Sequence, residues 1–161
     1  MLTYEYIQKF LFEEARALDE QRWADWLAFY AADVEFFMPS WDDDDTLTSD
    51  PHNEVSLIYY ANRQGLEDRV FRIETGRSSA TMPDTRTGHA ITNIEVLSQD
   101  TDGCEVTFNW VTHSFRYKSV DVYFGTSRYR IDTRAEKPVI TRKYVVLKND
   151  YINHVLDVYH V

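Results

Sequence analysis

Ile7, Phe10, Leu11, Ala15 and Leu18 recur at the three-and-four spacing of one helical face, with Glu13, Glu14 and Arg16 placed on the other side. Residues 3–19 are therefore predicted to form an amphipathic helix. Asp19 is the expected N-cap of a second, short helix in which Trp23, Trp26, Leu27 and Tyr30 make one buried stripe, giving a helical hairpin. Residues 34–38 change to strand composition and Pro39 ends them. Residues 40–54 show no hydrophobic periodicity and contain Trp41, four consecutive aspartates and Asp50-Pro51, which marks a long loop of the kind that carries contacts. From Asn62 a third helix is predicted, with Leu66, Val70 and Ile73 on a narrow apolar face.

From Arg86 on the period changes to two. Thr92, Ile94 and Val96 alternate, as do Cys104, Val106, Phe108 and Trp110 in a strand expected to run to Tyr117, with the turn between them at residues 100–103. A further long strand covers residues 120–132, where Gly125 is the expected bulge or bend, and a last one covers residues 139–147 after Lys137-Pro138. The C-terminal stretch from Val155 stays apolar to Val161, although exposed tails are normally polar, so it is expected to dock on its own sheet or on a neighbour. Helices first and an antiparallel meander last predict a single α+β domain over residues 1–161, with N-terminal helices packed on the hollow face of a strongly curved, mainly antiparallel sheet.

Eleven Tyr, nine Phe and four Trp among 161 residues are more rings than a core of this size demands, so some are expected to face a partner. A net charge of −10 removes the Lys/Arg excess that binding to nucleic acid or an anionic membrane needs. The N-terminus lacks the basic and apolar regions of a secretory leader, and no apolar run approaches the roughly 20 residues of a membrane span, so a cytoplasmic location is expected.

Redox chemistry inside this chain is limited by its ligands. A Rieske cluster takes two Cys and two His, and Cys104 is the sole cysteine, placed on an apolar strand face. A mononuclear iron site wants two His and a carboxylate, whereas His52, His89, His113, His154 and His160 form no compact pair. No metal, cofactor or catalytic residue is expected in this chain. The run Asp42, Asp43, Asp44, Asp45 lacks the glycine and distal glutamate of a calcium loop and reads as a solvated or partner-facing acidic loop. Arg63, Arg69, Arg72, Arg77 and Arg86 occur without a lysine among them, a bias suited to bidentate pairing with carboxylates. Trp41, the four aspartates and these arginines are the candidate subunit-interface residues, with intrachain ion pairs as the other reading of each arginine. Tyr30, Asp33, His89 and His113 form the candidate acid–base set if the fold encloses a pocket.

Three blocks carry a family resemblance: Pro39-Ser40-Trp41-Asp42-Asp43-Asp44-Asp45, Gly65-Leu66-Glu67-Asp68-Arg69-Val70-Phe71-Arg72-Ile73 and Ser78-Ser79-Ala80-Thr81-Met82-Pro83-Asp84-Thr85-Arg86-Thr87. Support comes from Phe115-Arg116-Tyr117-Lys118, Tyr123-Phe124-Gly125-Thr126-Ser127 and Val145-Val146-Leu147-Lys148-Asn149-Asp150-Tyr151. Across essentially its whole length the chain resembles the small (beta) subunits of aromatic-ring-hydroxylating dioxygenases, of the benzoate and anthranilate 1,2-dioxygenase type. The resemblance implies a nuclear-transport-factor-2-like cone. It also implies a structural role beside a larger alpha subunit and other beta subunits in an alpha3-beta3 assembly. In that assembly the alpha chain holds the Rieske [2Fe-2S] cluster and the mononuclear Fe(II), and a reductase brings electrons from NADH through flavin. The competing readings are a stand-alone cone-fold isomerase or dehydratase using pocket Asp, His and Tyr, and a homo-oligomeric binding module.

Overall fold

The computed structural model describes residues 1–77, 84–150, 152 and 154–161, with Arg77 described in its backbone only. The block from Ser78 to Pro83 and Tyr151, both part of the family resemblance, lie outside the described residues. Helix α1 (Tyr4–Asp19) begins at Thr3, whose hydroxyl accepts the Tyr6 amide and so satisfies one of the donors a helix start leaves open. Helix α2 (Trp23–Leu27) follows a tight link in which Gln21 takes a positive φ of 57°. Then come β1 (Tyr30–Pro39), β2 (Ser56–Tyr60), α3 (Arg63–Arg77), β3 (Arg86–Gln99), β4 (Gly103–Arg116), β5 (Ser119–Asp132) and β6 (Val139–Leu147). The 3-10 turn Val158–His160 ends the chain.

The six strands form one open sheet in the order β2-β1-β6-β5-β4-β3. Every neighbouring pair is antiparallel except β1 and β6, which run parallel. Strands β3 to β6 are thus a meander of adjacent hairpins, while β1 joins its far side. Helix α1 lies against β3 and α3 against β1, with α2 between the two helices. The fold is the expected α+β arrangement of helices on a mainly antiparallel sheet.

Alternation decides which side chains enter the core. Cys104, Val106, Phe108 and Trp110 of β4 point inward and are at most 3% exposed, as their spacing predicts. They meet Ile7, Leu11 and Leu18 of α1, Trp26 of α2 and Leu66 of α3 in one apolar cluster. The C-terminal turn closes the same cluster, with Val158, His160 and Val161 all buried, so the apolar tail docks on its own sheet.

Six expectations need correction. Glu14 is not on the solvent side of α1; it is 2% exposed, because it stands three residues after Leu11 and seven after Ile7, on the buried stripe. Asp19 does not cap α2, whose N-cap is Arg22 without a side-chain bond; its carboxylate reaches β3 instead. Tyr30 is the first residue of β1, not the end of a helical stripe. The alternation in β3 breaks at Asn93 (φ 56°), where register shifts between Thr92 and Glu95 and again between Val96 and Ser98, leaving Val96 exposed. Strand β4 stops at Arg116, since Tyr117 and Lys118 both take positive φ and make a two-residue hairpin turn. Gly125 marks no bulge: it pairs in regular register with Trp110 and Leu147, and a Cβ there would stand 1.8 Å from the Val146 carbonyl oxygen. Strand β2, between the loop and α3, had no sequence signal assigned to it.

Candidate functional site

The interior of the cone is closed by a polar knot. One carboxylate oxygen of Glu14, Oε1, accepts the Lys143 ammonium at 3.0 Å, the Trp26 indole N–H at 3.2 Å and the Tyr30 hydroxyl; the other, Oε2, accepts the Tyr129 hydroxyl at 3.4 Å. Lys143 is 0% exposed. It stands 5.0 Å from the Phe36 ring centre and 5.4 Å from that of Tyr129, so aromatic faces supply part of the cation's environment. Burial pulls the Lys143 ammonium below its ordinary value, against the opposing pull of Glu14. Burial, reinforced by the Glu14 charge, pushes the Tyr30 and Tyr129 hydroxyls well up, which keeps them donors. The two cavities at the C-terminal side of the sheet, of about 170 and 80 Å³, are not lined by Glu14, Lys143, Tyr30 or Tyr129 among their described walls. The knot ties α1, α2, β1, β5 and β6 together and offers no surface to a substrate. Glu14 and Lys143 were readable as inward: Lys143 shares its strand parity with Val145 and Leu147.

The four candidate acid–base residues do not converge. Tyr30 belongs to the Glu14 knot, while Asp33 and His113 are exposed. His89 Nδ1 lies 2.5 Å from Asp19 Oδ1, and Asp19 also accepts the Thr87 hydroxyl and the His89 amide, both at 2.9 Å. Burial alone would raise the Asp19 carboxyl, but the bonds from His89 and Thr87 outweigh it and hold it below the usual range. This dyad pins the end of α1 to the start of β3. Against β4, where Ser114 pairs with Thr87, His160 Nδ1 accepts the Asp157 amide at 2.9 Å, so Nε2 carries the proton and donates to Ser114 Oγ at 3.2 Å. Burial pushes His160 down to about 4. Among the described residues no three His, Cys, Asp or Glu side chains come together as ligands for a metal ion. Cys104 is fully buried, and burial raises its thiol, opposite to what a nucleophile requires.

The acidic run forms the tip of a small hairpin. Trp41 bridges to Leu47, the Asp42 amide donates to the Thr46 carbonyl at 2.7 Å, and Asp45 takes a φ of 61°. Asp42 and Asp44 turn back on this hairpin: Asp42 Oδ1 accepts the Asp43 amide and Asp44 Oδ1 accepts the Thr46 amide and hydroxyl, which holds the Asp44 carboxyl below its usual range. The Trp41 indole donates to the Leu147 carbonyl at 2.7 Å, which anchors the loop to the end of β6. All four aspartates and much of the Trp41 ring remain exposed. Two of the arginines are used within the chain: Arg63 bonds Glu67 and the Tyr30 carbonyl, and Arg69 makes a two-pronged pair with Asp157. Arg72 and Arg86 are exposed, and the Arg77 side chain lies outside the described residues.

Helices on one face of an open, mostly antiparallel six-stranded sheet, with the interior plugged by a structural ion pair, define a cone-fold protein. Residues 13–154 match the model of the ring hydroxylating beta subunit family, and the chain belongs to that family. It is 61% identical over 160 residues to the benzoate 1,2-dioxygenase subunit beta of Acinetobacter baylyi, covering 99% of this chain and 95% of that one. It is 57% identical over 160 residues to the toluate 1,2-dioxygenase subunit beta of Pseudomonas putida, covering 99% of each. The crystal structure of the beta subunit of the benzoate 1,2-dioxygenase from Burkholderia mallei superposes with a TM-score of 0.87 at 55% identity, over 100% of this chain and 99% of that one.

Proposed function

We propose that this chain is the non-catalytic small subunit of a cytoplasmic dioxygenase that adds both atoms of dioxygen to benzoate or a ring-substituted benzoate. The observation that carries this reading is the end-to-end likeness to the benzoate and toluate dioxygenase beta subunits. Its partner is a larger alpha subunit, which holds the Rieske [2Fe-2S] cluster and the mononuclear Fe(II), in an alpha3-beta3 assembly fed by a reductase from NADH through flavin. The donor set of this chain fits that division. Its one thiol is buried in the core, and His89, His154 and His160 are each engaged by a different partner, Asp19, Asp121 and Ser114. The chain's part is rigidity: it fixes the distance between the alpha chains across which electrons pass. The exposed Trp41 ring with Asp42, Asp43, Asp44 and Asp45 is the contact we assign to a neighbouring subunit, and Arg86 is the exposed arginine we place in such a contact. Arg63 and Arg69 are taken up inside the chain.

Co-expression with a Rieske-type large chain encoded beside it, followed by mass and iron analysis, tests the assignment. A complex with equal numbers of the two chains, its iron and turnover absent when this chain is purified alone, is expected. Arene hydroxylation or stoichiometric iron in this chain by itself would overturn it. Trp41→Ala, with native melting behaviour, should weaken the complex.

A further inference from the structure

We propose that a cleft between the last turns of α3, the open end of the β3–β4 hairpin pair and the C-terminal turn binds a small carboxylate carrying one ring. A cavity of about 170 Å³ lies there, with Trp23, Arg72, Ile73, Arg116 and Tyr159 among its described walls. An enclosed apolar cavity of roughly 150 Å³ is enough for a benzene molecule, so this one is ring-sized. The Trp23 and Tyr159 rings, 6.4 Å apart and tilted, give it aromatic sides. A second cavity of about 80 Å³ adjoins it and shares the walls Thr85, Arg116 and Tyr159.

Charge and hydrogen bonding select the ligand. Among the described residues three arginines and two aspartates, Asp84 and Asp157, line the larger cavity, and Asp121 lines the smaller one beside the shared Arg116. Asp157 is neutralised by Arg69, whereas the Arg72 guanidinium has no hydrogen-bond or ion-pair partner among the described residues. A guanidinium presents the planar fork that a carboxylate accepts, and one guanidinium without an ion-pair partner among the described residues suits a monoanion better than phosphate. In the adjoining smaller cavity Tyr123 is 1% exposed, and its hydroxyl is buried without a hydrogen-bond partner among the described residues. Buried hydroxyls in folded proteins are nearly always paired, with protein, water or ligand. Beside it, His160 Nε2–H donates to Ser114, which leaves the Ser114 hydroxyl proton free to be given onward. Tyr123 and Ser114 therefore offer donors to an accepting occupant, while the Asp121 carboxylate on the same wall is engaged by His154.

Benzoate is the probe, a choice that rests on the proposed function; the cleft itself does not. The full-length chain is titrated with benzoate by calorimetry and ligand-observed NMR, beside Arg72→Ala and Tyr123→Phe, two changes that remove a charge from the rim and a single hydroxyl. Saturable one-to-one binding is expected, weakened about tenfold or more by Arg72→Ala and severalfold by Tyr123→Phe, with melting temperatures held. Acetate, which lacks the ring, and benzyl alcohol, which lacks the charge, should each bind more weakly than benzoate. No saturable binding, or binding equal in both variants, overturns the site; acetate binding as well as benzoate overturns the single-ring assignment. Assembly with the large chain is scored separately. Intact assembly without benzoate binding sinks the cleft alone, and benzoate binding without assembly sinks the proposed function alone.

Discussion

Removing the charge from either side of the Glu14–Lys143 pair should destabilise this protein by several kcal/mol, and removing both should cost well less than the two losses added. In Glu14→Gln the Lys143 ammonium stays 0% exposed with a neutral amide oxygen in place of a carboxylate; in Lys143→Met the Glu14 carboxylate loses its one cationic partner at 3.0 Å. Breaking a buried ion pair in this way costs about 3–5 kcal/mol, against a total stability of about 5–15 kcal/mol for a domain of ordinary size. The double variant is different. The glutamine side chain would keep an oxygen for the Trp26 indole and the Tyr30 hydroxyl, and a methionine would fill the space among Phe36, Tyr30 and Tyr129 without a charge to solvate. Its loss should therefore be smaller than the sum of the single losses by roughly 2 kcal/mol or more, the sign of strongly coupled partners. Urea titrations followed by far-ultraviolet circular dichroism measure all three midpoints at constant slope. Single variants that lose less than about 1 kcal/mol, or losses that simply add, would refute the claim that the pair is desolvated and mutually dependent.

Acid should act through His160, whose folded value of about 4 lies below its ordinary 6.5 because burial disfavours the imidazolium. With the folded value depressed, the neutral ring contributes stability above about pH 6.5 that fades as pH falls toward 4, roughly 3 kcal/mol at the limit. His160→Phe should flatten the fall of the urea midpoint between neutral pH and about pH 4, and a parent-like pH slope in the variant would contradict this. Gly125→Ala should lower the melting temperature sharply, since its Cβ would overlap the Val146 carbonyl at 1.8 Å and β5 must move away from β6; an unchanged melt would remove the close-approach explanation. Truncation after Val155 deletes the buried Val158 and Val161 and the Asp157 partner of Arg69, so it should lose several kcal/mol, about 1.5–3 for each buried valine, read as a lower midpoint.

The elements that build the sheet were legible because long strands with one buried face leave a clean period, as in Cys104, Val106, Phe108 and Trp110. What escaped was polar chemistry on apolar positions. The residue type of Glu14 points to solvent although its spacing from Ile7 and Leu11 puts it in the core, and Lys143 shares the parity of Val145 and Leu147. Residue type misled because a buried charge is rare, and the partner that makes it tolerable lies elsewhere in the sequence. Asp19 has the local sequence context of a cap, yet its bonds run to Thr87 and His89, which no short window contains. Strand β2 is five residues long and half-buried, too short and too weakly alternating to announce itself. The exposed Trp41 hairpin was readable as a loop, while its anchor on the Leu147 carbonyl, 106 residues away, was not.

The parallel seam between β1 and β6 has a consequence for synthesis. The meander from β3 to β6 zips up through neighbouring hairpins, but β1 gains its inner neighbour only when β6 leaves the ribosome. Glu14 meets its lysine 129 residues after it is made. Until then the first helix and strand display apolar surface with a hydrated carboxylate in its midst, a nascent segment that neither collapses fully nor finishes, and is exposed to chaperones until β6 emerges.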